Sequence, residues 1–395
     1  MDADSQERSR ASSSLGEVTR LFLKLGTIAF GGPAAHIAMM DDEVVRKRGW
    51  ATRERFLDLL GATNLIPGPN STEMAIHLGL LRAGWRGLIV AGACFILPAM
   101  TITLALAWAY VRYGALPEAL WLLYGVKPVI IAIVIQALWG FATKAVKGPL
   151  TGAVGVAVLA LSFLGWDEVL LLLLGGIVVM LATPRHGKGV QAAATAAVSG
   201  SIFWTGSSVS AAGTAAGAGT AVSLWALTGF FLKVGSVLFG SGYVLLAFLR
   251  GDLVQRWGWL TDQQLMDAVA VGQFTPGPVF TTATFIGYVV AGFPGAVLAT
   301  LGIFLPSFVF VAASSPLIPR MRRSARAGRF LDGVNVASLG LMATVTWQLG
   351  RAALVDWVTV VLALVAMILV FRVRVNSAWL VLGGAAIGVA THLLR

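Results

Sequence analysis

Asn70, Ser71 and Thr72 follow Pro67-Gly68-Pro69, and Thr281 and Thr282 follow Pro276-Gly277-Pro278. Both sets of polar side chains stand just past a break inside an apolar stretch. Two prolines around a glycine remove backbone donors and clash with the preceding turn, so no helix runs through. A helix restarting after such a break presents unpaired N–H groups and the positive end of its dipole. Such a terminus holds oxyanions such as phosphate, sulfate or carboxylate. Asn64 and Gln273 add a polar group ahead of each break, and Gly68 and Gly277 let backbone approach a ligand closely.

Lys24 and Lys233 are a second matched set, each ahead of a glycine-containing segment, Gly31-Gly32 and Gly240-Ser241. A cation at membrane depth costs a few kcal/mol and marks a pathway or a pair. Snorkelling of the ammonium toward headgroups is the competing reading. An anion suits paired lysines facing helix N-termini; a cation site would need carboxylates there. Glu73 is the exception. It either complements the dipole of the restarted helix or carries a proton exchanged against the anion, with Thr282 at its place in the second half. Asp58 and Asp267 are expected to pair with the lysines or to cap the hairpin arms. His36 and His77 read as packed, hydrogen-bonded side chains, and Trp50 and Trp259 as interfacial anchors. No Ser/His/Asp set, metal-ligand spacing or phosphate loop is legible, so no enzyme activity, metal or cofactor is implied.

The elements that position these residues lie in a bilayer. Of 395 residues, 57% are hydrophobic and 12% charged, against about 25% charged in soluble proteins. Several apolar runs approach the roughly 20 residues that span a membrane. The polar start, residues 1–14, lacks a signal-peptide pattern. The net charge of +11 sits in short loops, where it orients spans rather than binding nucleic acid. Cys94 is the single cysteine, which excludes an internal disulfide.

Phe22-Leu23-Lys24-Leu25-Gly26 matches Phe231-Leu232-Lys233-Val234-Gly235, and Phe30-Gly31, Gly49-Trp50, Asp58 and Pro67-Gly68-Pro69 recur at the same offset of 209 without a gap. The chain is therefore a duplication: a first repeat at 15–183, an Ala/Gly/Ser-rich linker at 184–220 and a second repeat at 221–395. Equivalent loops carry opposite basic charge: Arg112 alone against Arg320, Arg322, Arg323, Arg326 and Arg329, and Arg82 with Arg86 against none. That opposition predicts inverted topology. The expected fold is an all-α polytopic membrane protein of two inverted repeats, each with about five spans and one re-entrant broken hairpin. Matching breaks in the two halves point to a transporter's binding site.

The motifs Phe-Leu-Lys-x-Gly-x3-Phe-Gly-Gly, Asn-Leu-Ile-Pro-Gly-Pro-Asn-Ser-Thr-Glu and Gln-Phe-Thr-Pro-Gly-Pro-Val-Phe-Thr-Thr resemble the chromate ion transporter family in its long, two-domain form. The resemblance covers nearly the whole chain. It implies export of chromate from the bacterial cytoplasm through the inner membrane, drawing on the proton motive force, with sulfate transport or an anion channel as alternatives. A homodimer is left open.

Overall fold

The computed structural model describes residues 3–29, 32–114, 117–182, 223–239, 245–314, 325–373, 375 and 377–393. Those residues are helical, with no strand among them. The first half runs α1 (Ala3–Ile28), α2 (Gly32–Asp41), a π-helical turn (Asp42–Lys47), α3 (Arg53–Thr63), α4 (Asn70–Tyr113), α5 (Pro117–Ala145), α6 (Pro149–Phe163) and α7 (Glu168–Ala182). The second runs α8 (Leu224–Val237), α9 (Leu245–Phe248), a π-helical turn (Leu249–Arg256), α10 (Asp262–Phe274), α11 (Thr282–Ser314), α12 (Ala325–Ala353), α13 (Trp357–Ile368) and α14 (Ser377–Leu393). Asn70–Tyr113, Trp121–Ala145 and Val279–Ser314 are long and apolar enough to cross a membrane. α6, α7 and α14 are apolar but have 15, 15 and 17 residues, so at 1.5 Å per residue each spans about 22–26 Å. They fall several ångströms short of a hydrocarbon core of about 30 Å. The apolar stretch around Lys24 and Gly32 is two helices, since α1 ends at Ile28 and α2 starts at Gly32.

Each Pro-Gly-Pro segment separates two helical arms, α3 from α4 and α10 from α11. The second arm ends in a sharp reversal, at Ala83-Gly84 in α4 and Ala291-Gly292 in α11, where the glycines take φ of +62° and +64°. The reversal lets Gly79 lie on Gly87 and Gly287 on Gly295, contacts with no room for a Cβ. These equivalences are 208 apart, one fewer than before the break. The lost residue falls where the second half opens with a 3-10 turn, Val279–Thr281. Three residues at 2.0 Å rise cover the same ~6 Å as four at 1.5 Å. The hairpin keeps its length with one residue fewer.

The halves do not pack as separate bodies. α6 and α7 of the first half lie on α12 of the second, and α13 and α14 of the second lie on α5 of the first. Small residues make these crossings. Gly333 abuts Gly175 and Gly176, Gly340 abuts Gly155, and Gly125 abuts Gly384 and Gly388. Close backbone approach is how helices associate where lipid removes the hydrophobic drive. α1 packs on α4 through Gly26 against the Phe95 carbonyl, and α8 packs on α11 through Gly235 against Ile303.

Candidate functional site

The two breaks cross over into opposite halves. The Gly68 N–H donates to the carbonyl of Leu238 at 2.8 Å, and the Gly277 N–H donates to the carbonyl of Ala29 at 2.9 Å. Leu238 and Ala29 are the last turns of the opposite half's first helix. Each break therefore supplies a donor to a helix-end carbonyl. The His36 Nε2–H also reaches the Ala29 carbonyl, at 3.0 Å, as expected of a packed, hydrogen-bonded histidine. Both central glycines are in positive φ, +137° and +89°. A Cβ on Gly68 would run into the Glu73 carboxylate and the Ser307 hydroxyl. One on Gly277 would meet Ala99 Cβ at 2.8 Å and the Gly26 carbonyl at 3.2 Å.

Past each break a helix starts without a side-chain cap, from Pro69 and from Pro278. On the first side, the Thr72 and Glu73 N–H groups close back on the Pro69 carbonyl at 2.8 and 3.0 Å. Asn70 Nδ2 donates to Asn64 Oδ1 at 2.7 Å, which brings these two residues together across the break. Ser71, Thr72 and Glu73 are buried. Among the described residues, the Thr72 hydroxyl, both Glu73 carboxylate oxygens, the Ser307 hydroxyl and His77 Nε2 find no hydrogen-bond partner. A polar atom buried without a partner costs of order 1–3 kcal/mol, and an ionised carboxylate far more. Glu73 is thus a bare carboxyl at the mouth of a helix, over the Gly68 loop and beside Ser307.

On the second side the hydroxyls are occupied. Thr281 and Thr282 donate to the carbonyls of Pro278 and Val279, each at 2.8 Å. Thr103 of α4 donates to Thr281 at 3.4 Å. Gln273 is buried on α10 one turn before Pro276. Gly31, Gly240 and Ser241 lie outside the described residues, and Gly32 begins α2 with φ of +78°.

Lys24 and Lys233 each hold a carboxylate. Lys24 Nζ lies 2.8 Å from Glu43 and Lys233 Nζ lies 3.0 Å from Asp252. Glu43 and Asp252 are themselves repeat-equivalent and sit in the two π-helical turns. Lys24 is on the exposed face of α1, away from the buried face of Phe22, Gly26 and Ala29. Asp58 and Asp267 do not cap the arms; Thr52 and Thr261 do, through their side chains. Asp267 meets a different lysine, Lys127 of α5, at 3.3 Å, and accepts from the Tyr110 hydroxyl at 2.9 Å. Sequence reading passed over Lys127, although a lysine between Val126 and Pro128 in an apolar run is itself a signal. Trp50 lies beneath the guanidinium groups of Arg48 and Arg82, at 5.8 and 5.4 Å, and Trp259 packs at a tilt against Trp257, ring centroids 4.5 Å apart. A cleft of about 350 Å³ at the loop end of the first hairpin is lined by Asp41, Asp42, Arg46 and Arg53. Both its arginines are held by Asp41, so it offers an anion little net charge.

The sequence is similar to that of known proteins along most of its length. A family model described as "Chromate transporter" matches twice, over residues 16–180 and 225–389. A "Probable chromate transport protein" of Synechococcus elongatus is 33% identical over 371 residues, covering 93% of this chain and 92% of its own. The "Chromate transport protein" of Cupriavidus metallidurans is 33% identical over 386 residues, covering 95% and 92%. That of Pseudomonas aeruginosa is 32% identical over 335 residues, covering 84% and 80%. No solved structure matches the chain. With both halves matched and the relatives covered nearly end to end, the chain belongs to the chromate transporter family.

Proposed function

We propose that the protein is a multi-pass secondary transporter of the bacterial inner membrane that exports chromate, driven by the proton motive force. The observation that carries this reading is that each half has one break whose central glycine donates to a helix end of the opposite half and whose following helix starts uncapped. In this proposal a tetrahedral dianion lies between the breaks. It takes N–H groups after Pro69 and Pro278 and the side chains of Asn70, Ser71, Thr72, Thr281 and Thr282. The second-half threonines turn their hydroxyls from backbone carbonyls to the anion. Lys24 and Lys233 supply positive charge once released from Glu43 and Asp252. Glu73, bare and buried, carries the coupled proton. The halves are inverted, so that the hairpins enter from opposite faces.

Chromate accumulation in inside-out vesicles that collapses with an uncoupler is the expected result. Flux that is uncoupler-insensitive and does not saturate would instead mark a channel. Competition by sulfate at equal concentration would mark a general oxyanion carrier. Charge-assisted hydrogen bonds are worth about 1.5–3 kcal/mol, so Lys24→Gln or Lys233→Gln should raise half-saturating chromate roughly ten- to hundredfold. Unchanged affinity in both variants would place the compensating charge elsewhere. For topology, cysteines introduced at Ser324 and in the 41–55 loop, in a background lacking Cys94, should be shielded from an impermeant thiol reagent in whole cells. One beside Pro294 should be labelled. Equal labelling of all three would remove the inverted arrangement.

A further inference from the structure

Lys127 and Asp267 form an ion pair between the halves that the repeat does not duplicate. Lys127 comes from α5 of the first half and Asp267 from the first arm of the second hairpin; their side chains are 9% and 1% exposed. The position matching Lys127 is Asn335, since α12 follows α5 at an offset of 208. Asp58, matching Asp267, is only partly buried. A buried pair of this kind contributes little net stability, because desolvation offsets the attraction. A purely structural role therefore explains poorly why charge is kept on one side only.

The pair is not a short one. Lys127 Nζ stands 3.3 Å from Asp267 Oδ1, while Oδ2 accepts from Tyr110. By contrast Lys24 and Lys147 hold their carboxylates at 2.8 and 2.6 Å. Its position is informative. One face of α4 runs along the second hairpin, with Ala99 on Gly277, Thr103 on Thr281 and Tyr110 on Asp267. Seven residues separate Thr103 from Tyr110, so the pair lies about 10 Å along the helix from the break. Among the described residues, Lys127 from α5 and Tyr110 from α4 are the titratable groups facing Asp267. Glu73 belongs to the other hairpin.

Resting on the oxyanion-transport reading, we propose that Lys127 is a second station for the anion. There an incoming oxyanion displaces Asp267 from the ammonium, and the freed carboxylate takes a proton from bulk water. The bond broken is the Lys127–Asp267 ion pair, and the bond formed is Lys127 to the oxyanion. Net charge in the pocket changes by one less than the anion's own charge. Anion binding and proton uptake are linked through a carboxylate on the half opposite Glu73.

The test is chromate binding to the purified full-length protein in detergent between pH 7 and 9, with proton uptake read from buffers of different ionisation enthalpy. Wild type should take up a proton on binding, and its affinity should fall by up to tenfold per pH unit. Asp267→Asn should bind at least as tightly, with the pH dependence and proton uptake gone. Lys127→Gln should lose ten- to hundredfold in affinity, and Lys127→Arg should recover most of it. The double variant Lys127→Gln/Asp267→Asn removes both charges and so guards against misfolding from one unpaired charge; it should bind weakly at every pH. Wild-type pH dependence persisting in Asp267→Asn, or full affinity in the double variant, would overturn this inference. Should Ser71→Ala/Thr72→Ala then still weaken binding, the site between the breaks stands without it. Absence of chromate binding by wild type at every pH would overturn both.

Discussion

The two hairpins share a backbone and divide the chemistry. Both break at Pro-Gly-Pro, reach into the opposite half with one glycine N–H, and reverse at an Ala-Gly pair. Yet the first places a bare carboxyl, Glu73, against Ser307, and leaves Thr72 unsatisfied. The second places saturated threonines at its break and an ion pair further down its first arm. Duplication supplied the geometry, and divergence after it assigned different charges. In a carrier that couples two ions, such division is an advantage: a proton site and an anion site of opposite charge do not cancel each other within one cradle.

The harshest way to break the comparison is at the shared glycines. Gly68→Ala and Gly277→Ala both force an L-residue into positive φ and both add a Cβ with no space. Left-handed backbone alone costs roughly 1–2 kcal/mol. Transport should fall at least tenfold in each, with a lower thermal midpoint. Wild-type flux in either would show that the crossing is dispensable on that side.

Next come the matched aspartates. Asp267→Asn leaves Lys127 buried without a countercharge, at a cost of about 3–5 kcal/mol. Asp58→Asn acts at an only partly buried site and should cost under about 1 kcal/mol. Thermal midpoints in detergent should separate them clearly, and equal shifts would mean the halves are alike after all.

Glu73→Gln should then flatten the pH dependence of transport while leaving chromate affinity within about threefold, since it alters charge without changing shape. A pH profile identical to wild type would move the coupled proton off the first hairpin.

The smallest effect belongs to the lysine pairs. The hydrogen bond from Lys24, aided by Lys47, holds the Glu43 carboxyl below the ordinary carboxylate range. A lowered folded-state value means that this contribution is present at neutral pH and lost as pH falls through that value. Glu43→Gln should therefore destabilise by under about 1 kcal/mol at pH 7, since the partner lysine is half-exposed. The difference should vanish in acid, below the folded-state value. A difference that persists unchanged there would argue for packing rather than charge.

Much of this was legible in the chain. Pro67-Gly68-Pro69 and Pro276-Gly277-Pro278 announced the breaks because proline and glycine act locally, whatever surrounds them. The common offset announced the duplication. Three things were not legible. The partner of Asp267 was sought among Lys24 and Lys233, since their repeat symmetry drew attention, and the unrepeated Lys127 was not considered. The bonds from Gly68 to Leu238 and from Gly277 to Ala29 join residues about 170 and 250 positions apart, with no side-chain signature on either partner. The exchange of α6 and α7 for α13 and α14 depends on which glycine faces meet, and many helices here carry glycines.

That exchange bears on how the chain is made. The glycine face of α7, at Gly175 and Gly176, waits for Phe330 and Gly333, which are synthesised about 150 residues later. At roughly 5–20 residues per second, about eight to thirty seconds pass before that partner exists. The first half must therefore stand in the bilayer with a bare seam. Lipid, a chaperone or a neighbouring copy's equivalent surface has to cover it meanwhile. Because the seam is built from small residues rather than large apolar ones, lipid wets it without trapping it, and α12 can displace that lipid on arrival.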